Sequence, residues 1–286
     1  VTNLLNQDGI KVVHTLDEIT YKPHSLYIYS SAIPIESDRF EDFHDKENVL
    51  SRPEYLKNLS ENHKIIGITG THGKTSTTAL LSHIFHFNNV NVSYLYGGIT
   101  TFNGIGGHYG DPDQPLILET DEAFNTFEKI KISDLLVLNV DSDHLDYFKN
   151  LDNYKDAFYK VMKNVTDNLV INNDDLNIKS MKELKNPVSY GKDISADFKV
   201  QSPGTFIYEN NKYEIKSDII GDHFKSNMLG AIILALLNGI EIKDSLNAIE
   251  SFAGVKRRIE LIGISKGVLI YDDYGHHPTE MEATIT

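Results

Sequence analysis

The chain has no cysteine among its 286 residues. Disulfides and thiolate-held metals are therefore excluded, and a cytoplasmic location is expected, because a cysteine-free chain fits a reducing compartment. Positive charge is scarce as well: 27 Lys and Arg stand against 41 Asp and Glu, a formal net charge of −14. The densest basic cluster, Lys256-Arg257-Arg258, is too short to follow a nucleic-acid groove, and no nucleic-acid partner is expected. Long apolar runs are missing. The longest, residues 231–237, falls far short of the roughly 20 residues of a membrane span. No basic stretch followed by an apolar core opens the chain, so neither a membrane contact nor a signal peptide is expected. No internal repeat or low-complexity segment stands out.

What is present is one stretch that organises the rest. An apolar run, Ile65, Ile66 and Ile68, leads into Thr69-Gly70-Thr71-His72-Gly73-Lys74-Thr75, and beyond it Leu80, Leu81, Ile84 and Phe87 fall on one face of a helix. A strand, a glycine loop ending in Gly-Lys-Thr and a helix make the layout of a phosphate-binding loop. Gly70 and Gly73 let the backbone approach phosphate oxygens, and the N–H groups at the helix start point at the anion. In that layout Lys74 reaches the β- and γ-phosphates and the Thr75 hydroxyl ligates Mg²⁺. The loop is shorter than G-x-x-x-x-G-K-[ST], with Ile68 where that pattern has its first glycine. The competing reading is a glycine turn that merely precedes a lysine; the strand before it and the amphipathic helix after it weigh against that. An acidic chain still binds a polyanionic nucleotide where lysine, a divalent cation and a helix N-terminus are focused locally.

The length admits about two domains. Residues 1–58 read as α/β fragments, with strands at 9–13 and 25–31 and a helix at 52–59, too few for a complete sheet. From residue 59 strands and helices alternate, with strands at 92–96, 116–118, 135–140 and 169–171, a glycine-rich loop at 97–110 and a helix at 154–165. Polar runs follow the strands: Glu119-Thr120-Asp121-Glu122, then Asp141-Ser142-Asp143-His144-Leu145-Asp146, then Asn172-Asn173-Asp174-Asp175. This pattern predicts a mostly parallel sheet whose ligands bind beyond the strand carboxyl ends. Residues 197–216 alternate instead like antiparallel strands around a tight turn at Asn210-Asn211. Helices at 223–237 and 243–252 follow, then a strand at 268–271 that runs into Asp272-Asp273-Tyr274-Gly275-His276-His277-Pro278. The expected class is α/β, a mostly parallel sheet flanked by helices with a small antiparallel part.

Two readings stand at each further candidate. Glu119, ending a buried strand near the glycine loop, is a Mg²⁺ ligand, or else a helix N-cap or a solvated strand end. His144, among Asp141, Asp143 and Asp146, is a metal ligand or half of a capping pair. His72 touches a ligand or only shapes the turn. Arg257 and Arg258 clamp phosphate or are simply solvated. His276 and His277 beside Asp272 and Asp273 form a metal site or a polar hinge.

Taken together, the motifs resemble the Mur ligase family. The family's G-T-H-G-K-T-[ST]-T-[ST] is Gly70 to Thr78 here, and its D-H-L-D-Y is Asp143 to Tyr147. Its G-V-x-R-R-[FM] is Gly254 to Ile259, and its D-D-Y-A-H-H-P-T-E is Asp272 to Glu280 with Gly275 as the difference. The resemblance implies a partial UDP-binding domain at 1–58, a central ATP-binding domain at 59–262 and the linker and start of a C-terminal ligase domain at 263–286. The terminal parts would be remnants of Rossmann-like domains. It implies an ADP-forming ligase that joins the carboxylate of UDP-N-acetylmuramate to L-alanine through an acyl phosphate, with ATP and Mg²⁺. By the same resemblance Gly70, Thr71, His72, Gly73, Lys74, Thr75 and Ser76 would hold the phosphates, and Lys74 would stabilise the transferring group. Thr75 and Glu119 would ligate Mg²⁺, with His144 holding a second metal. Asn227 would lie near adenine, Arg258 would reach the phosphates, Asp273 would meet the ribose, and His276 and His277 would sit at a hinge. Two departures stand out: Ala123-Phe124 replaces the Ser-Asp of E-A-D-E-S-D, and Phe224 replaces the first Asn of H-N-x-x-N. The rival readings are the family's recycling branch, which adds a tripeptide to UDP-N-acetylmuramate, and a Mur-like module that binds ATP without catalysis.

Overall fold

The computed structural model describes residues 2–7, 9–15, 18–30, 33, 35–36, 38–100, 104–141, 145–181, 184–275 and 281. The chain divides into two compact units, one of Val1–Asn62 with Lys129–Lys131, the other of His63–Glu128 with Ile132–Thr286.

In the first unit helix α1 (Thr2–Gln7) precedes two short parallel strands, β1 (Tyr27–Tyr29) and β2 (Val49–Ser51), and helix α2 (Arg52–Asn62). Tyr21, Tyr27 and Phe43 pack their rings at centroid distances of 5.1–5.8 Å beside them. Glu54 anchors the start of α2: its carboxylate accepts from the Ser51 amide at 2.8 Å and the Ser51 hydroxyl at 2.6 Å. The strand expected at 9–13 does not form. Ile10 is 51% exposed and no neighbouring strand is paired with it, so alternation alone has nothing to dock against.

The second unit is built on one sheet. Its elements begin with β3 (Ile65–Thr69), α3 (Lys74–Phe87), β4 (Ser93–Thr100), β5 (Gly104–His108), β6 (Leu116–Glu119) and β7 (Asp134–Val137). Next come α4 (Leu145–Phe148), α5 (Leu151–Lys163), β8 (Asn168–Asn172), α6 (Leu176–Lys179) and β9 (Val188–Gly191). The remainder is β10 (Phe198–Ser202), β11 (Thr205–Tyr208), β12 (Asn211–Glu214), α7 (Asp222–Leu237), α8 (Ile242–Ser251), β13 (Glu260–Ser265) and β14 (Val268–Asp272). Among the described residues ten strands form the sheet in the order β12-β11-β10-β9-β8-β7-β3-β6-β4-β5. The run from β10 to β4 is parallel throughout, and the antiparallel pairs lie at its two edges. β13 and β14 pair separately as an antiparallel hairpin.

β3 is buried along its whole length, as expected for a central parallel strand covered on both faces. Ile66, Ile68 and Leu136 pack into one core with Leu80, Leu81 and Ile84 of α3 and the apolar middle of α7. Alternation turns Ile65, Leu135 and Val137 the other way, and they are equally buried. Helix α5 buries Tyr154, Ala157, Phe158, Val161 and Met162, a stripe at helical spacing, and Phe158 meets Phe127 edge-on at 5.2 Å. Three buried hydroxyls of α3 are satisfied within the helix: Thr77, Thr78 and Ser82 each donate at 2.8 Å to the carbonyl four residues earlier.

Several elements differ from expectation. Phe87 is 46% exposed at the end of α3, and Phe85 takes the buried place instead. The stretch expected as a glycine-rich loop at 97–110 is largely strand, with the rest of β4 and all of β5 in it. Gly106 serves close packing: a Cβ there would strike the Tyr96 carbonyl. The strand expected over 135–140 stops at Val137, since Asn139 and Asp141 turn to the glycine loop. The tight turn falls one residue early, with positive φ at Glu209 and Asn210 and with Asn211 already in β12. The strands β9 and β13 were not foreseen.

Candidate active site

The glycine loop joins β3 to α3 at the carboxyl edge of the sheet. Gly73 sits at φ +85 and offers no side chain to cap α3, which leaves the first N–H groups of the helix for an anion. A Cβ at Gly73 would collide with Asn227 Nδ2, so the glycine lets the loop lie directly on α7.

A residue to which sequence reasoning gave no role fixes the loop. Asn139, just past β7, accepts from the His72 amide at 2.8 Å and donates to the His72 carbonyl at 2.9 Å. Its own carbonyl accepts from the Thr71 amide at 3.1 Å. The Thr71 hydroxyl accepts from the Asp141 amide at 2.8 Å and lies 3.1 Å from the Tyr154 hydroxyl. The His72 ring is mostly buried, with Nε2 at 3.7 Å from the Asp141 carboxylate. The loop is thus tied to the end of the neighbouring strand through both backbone and side chains.

Lys74 turns its ammonium back on its own loop. Nζ donates to the Gly70 carbonyl at 2.6 Å, the Thr71 carbonyl at 3.1 Å and Glu122 Oε1 at 3.0 Å. Glu122 has no solvent exposure, and burial pushes its carboxyl above the ordinary value while the Lys74 ammonium pulls the other way. The Tyr154 hydroxyl also donates to Glu122 Oε1, at 3.3 Å.

One position on, Thr75 Oγ1 donates to Glu119 Oε1 at 2.7 Å, and the Gly97 amide donates to Glu119 Oε2 at 2.6 Å. Glu119 is therefore not a helix cap. The hydroxyl and carboxylate form a pair of hard oxygen donors at the edge of the cavity, a set that fits Mg²⁺. No group of three or more His, Asp or Glu able to hold a metal occurs among the described residues. His144, His276 and His277 lie outside the described residues.

The cavity at this edge has a volume of about 510 Å³. Thr71, His72, Gly73, Lys74, Thr75, Ser76, Glu119, Asn227, Arg258 and Asp273 all line it, and Gly70 contributes the carbonyl that holds Lys74. Asp141, Asp174 and Asp175 line it too, so each of the three polar runs after the strands reaches this cavity. Asp273 accepts from the Ile259 amide at 2.8 Å and the Gly275 amide at 2.6 Å, which fixes the chain after α8 against the cavity wall. The Arg258 guanidinium stands 5.4 Å from the Tyr274 ring centre. Arg257 faces solvent, with its side chain 60% exposed and 3.5 Å from Asp272. Phe224, one turn before Asn227 in α7, lines the same cavity with its ring 4.4 Å from that of His223.

The model of the Mur ligase middle domain matches residues 68–235, more than half of the chain. The chain belongs to the Mur ligase family. The UDP-N-acetylmuramate–L-alanine ligase of Clostridium botulinum (strain Langeland) is 35% identical to it, in an alignment covering 100% of this chain and 65% of that protein. The enzyme of the same name from Dictyoglomus turgidum is 33% identical, covering 98% of this chain and 64% of that protein. This Mur ligase chain thus spans a little under two thirds of the length of those relatives. The crystal structure of the UDP-N-acetylmuramate–alanine ligase of Thermotoga maritima shares its fold, with a TM-score of 0.82 at 24% identity over 99% of this chain and 68% of that one.

In this member of the family the site residues to which sequence reasoning assigned no role left unequal traces. Glu122 and Asp141 sit inside acidic runs and Asn139 at the end of an apolar strand, so position hinted at them. Tyr154 reads only as one more aromatic on the buried face of α5.

Proposed function

We propose that this Mur ligase takes part in ADP-forming amide synthesis, joining the carboxylate of UDP-N-acetylmuramate to L-alanine with ATP, in the cytoplasm, for peptidoglycan precursor synthesis. The observation that carries the reading is the convergence of Lys74, the Thr75–Glu119 pair and the uncapped start of α3 on one cavity. The 33–35% identity to alanine-adding ligases supports the choice of substrates.

The work assigned to the chain is binding and placement. The amides at the start of α3 and in the glycine loop hold the β- and γ-phosphates of ATP. Lys74 neutralises the phosphoryl group during its transfer to the muramate carboxylate, giving the acyl phosphate. The amine of L-alanine then attacks the acyl carbon and phosphate leaves. Thr75 and Glu119 would hold Mg²⁺, which supplies charge neutralisation at the phosphate oxygens. Asn227, buried against Gly73, and Asp273, fixed by two amides, border the nucleoside side of the cavity in this reading, and Arg258 reaches the phosphates. A second metal at His144 and a hinge at His276 and His277 belong to the same proposal. So does the division into a uridine-nucleotide part at 1–58, an ATP-binding part at 59–262 and the start of a ligase domain at 263–286.

The test is phosphate release by the intact protein with ATP, Mg²⁺ and UDP-N-acetylmuramate, given L-alanine, glycine, L-serine or L-Ala-D-Glu-diaminopimelate in turn. Release that depends on L-alanine supports the reading. Release with the tripeptide alone assigns the chain to the recycling branch, and nucleotide binding without release under any acceptor makes it a non-catalytic module.

A further inference from the structure

Glu122 is a fully buried carboxylate that the scheme above leaves without a task. It follows β6 by three residues, and the Thr126 hydroxyl steadies the same segment by donating to the Asp121 carbonyl at 2.6 Å. A charge placed there without a partner would carry a heavy desolvation cost, so its surroundings are informative. Two groups meet Oε1, the Lys74 ammonium at 3.0 Å and the Tyr154 hydroxyl at 3.3 Å. Tyr154 is itself fully buried on α5, and its hydroxyl reaches Thr71 inside the glycine loop at 3.1 Å. The loop lysine is therefore tied to α5 through Glu122, and the loop backbone is tied to α5 through Thr71.

An ammonium has three protons to donate, and Lys74 gives them to the Gly70 carbonyl, the Thr71 carbonyl and Glu122. To meet a phosphate it exchanges at least one of these. The two carbonyls are loop backbone acceptors, whereas Glu122 is a fully buried carboxyl whose Oε1 accepts from both Lys74 and Tyr154, so it is the partner most costly to give up. We propose that Glu122, held by Tyr154, is a positioning residue: the buried counter-ion that sets where the Lys74 ammonium stands when a phosphoryl group enters the loop. This rests on the nucleotide reading of the cavity. In it the carboxylate also weakens the attraction of the loop for a polyanion, so placement of the lysine is gained at the expense of affinity.

The isosteric variant E122Q separates placement from affinity. Nucleotide binding is read by titration with Mg·ATP, turnover by phosphate release from the intact protein, and Lys74 itself by its rate of acylation in competitive labelling followed by mass spectrometry. The expected result is Mg·ATP binding at least as tight as in the wild type, because one negative charge has left the loop. Turnover falls about tenfold or more. Acylation of Lys74 rises about fivefold, since a buried ammonium hydrogen-bonded to a carboxylate reacts slowly. Tyr154→Phe, which keeps the carboxylate and removes the hydroxyl's contacts with Glu122 and Thr71, changes turnover and acylation in the same directions by less. An unchanged acylation rate in E122Q overturns the positioning role. So do unchanged turnover and a loss of turnover matched by equal losses of affinity and melting temperature, the mark of a merely structural group. If the wild type fails to bind Mg·ATP while Lys74 acylation still depends on Glu122, it is the nucleotide reading that falls, and the ion pair stands.

Discussion

Thr75 Oγ1 donates a hydrogen bond of 2.7 Å to Glu119 Oε1 across 44 positions of sequence. The pairing follows from topology: β3 and β6 are parallel neighbours, with Ile68 opposite Glu119, so the residue ending β6 meets the first turn of the helix that follows β3. The Gly97 amide holds the other carboxylate oxygen at 2.6 Å. In E119Q the charge is lost and one oxygen remains to accept, so either the Thr75 hydroxyl or the Gly97 N–H loses its acceptor. The Mg²⁺-dependent part of ATP affinity is expected to fall by about tenfold or more, equivalent to about 1.4 kcal/mol. Calorimetric titrations with and without Mg²⁺ measure it.

Gly73→Ala places a Cβ against Asn227 at a residue with φ +85. The left-handed backbone alone costs roughly 1–2 kcal/mol for a residue with a Cβ, and the collision adds to it. The variant is expected to melt at lower temperature and to lose Mg·ATP binding, whereas Gly239→Ala, with φ +89 and open space around its Cβ, carries the backbone cost alone and keeps binding.

Asn139→Ala removes both side-chain bonds to His72. Leaving buried partners unsatisfied costs about 1–3 kcal/mol. Urea denaturation should show that loss, and hydrogen exchange at the His72 amide should quicken beyond what the global change explains.

Much of this was legible in the sequence because it is local. The strand, the Gly70–Thr75 loop and the start of α3 are contiguous, and their order fixes their geometry. The acidic runs after β6, β7 and β8 could be placed at one edge of the sheet before their strand order was known, since parallel strands all end on the same side. The partners could not. Glu122 and Tyr154 meet across 32 positions, and Asn139 meets His72 across 67. Such pairings depend on which strands are neighbours and where a helix crosses them, and periodicity carries neither. Glycine misled at 97–110: among the described residues there, Gly106 marks the close approach of β5 to Tyr96 of β4, and most of the stretch is strand.

His83, on α3, predicts a pH dependence of stability. Burial pulls its pKa below the ordinary 6.5, nearby His86 adds to that, and a hydrogen bond with the Ala248 carbonyl opposes it. Between the lowered value and 6.5 the unfolded chain binds a proton that the native chain resists, so stability rises with pH through that window and falls on acidification below about 6.5. His83→Gln should flatten the slope of unfolding free energy against pH in that range, measured by denaturant titration at a series of pH values. An unchanged slope excludes His83 as its source.

Titration of the intact protein with ATP, with Mg²⁺ and then with EDTA in its place, tests the proposed nucleotide site without relying on any acceptor. Saturable binding that requires Mg²⁺, and that is lost in both Lys74→Ala and Thr75→Ala while both variants stay folded, is the predicted result. No binding by the wild type, or binding of equal strength in the wild type and both variants, contradicts it.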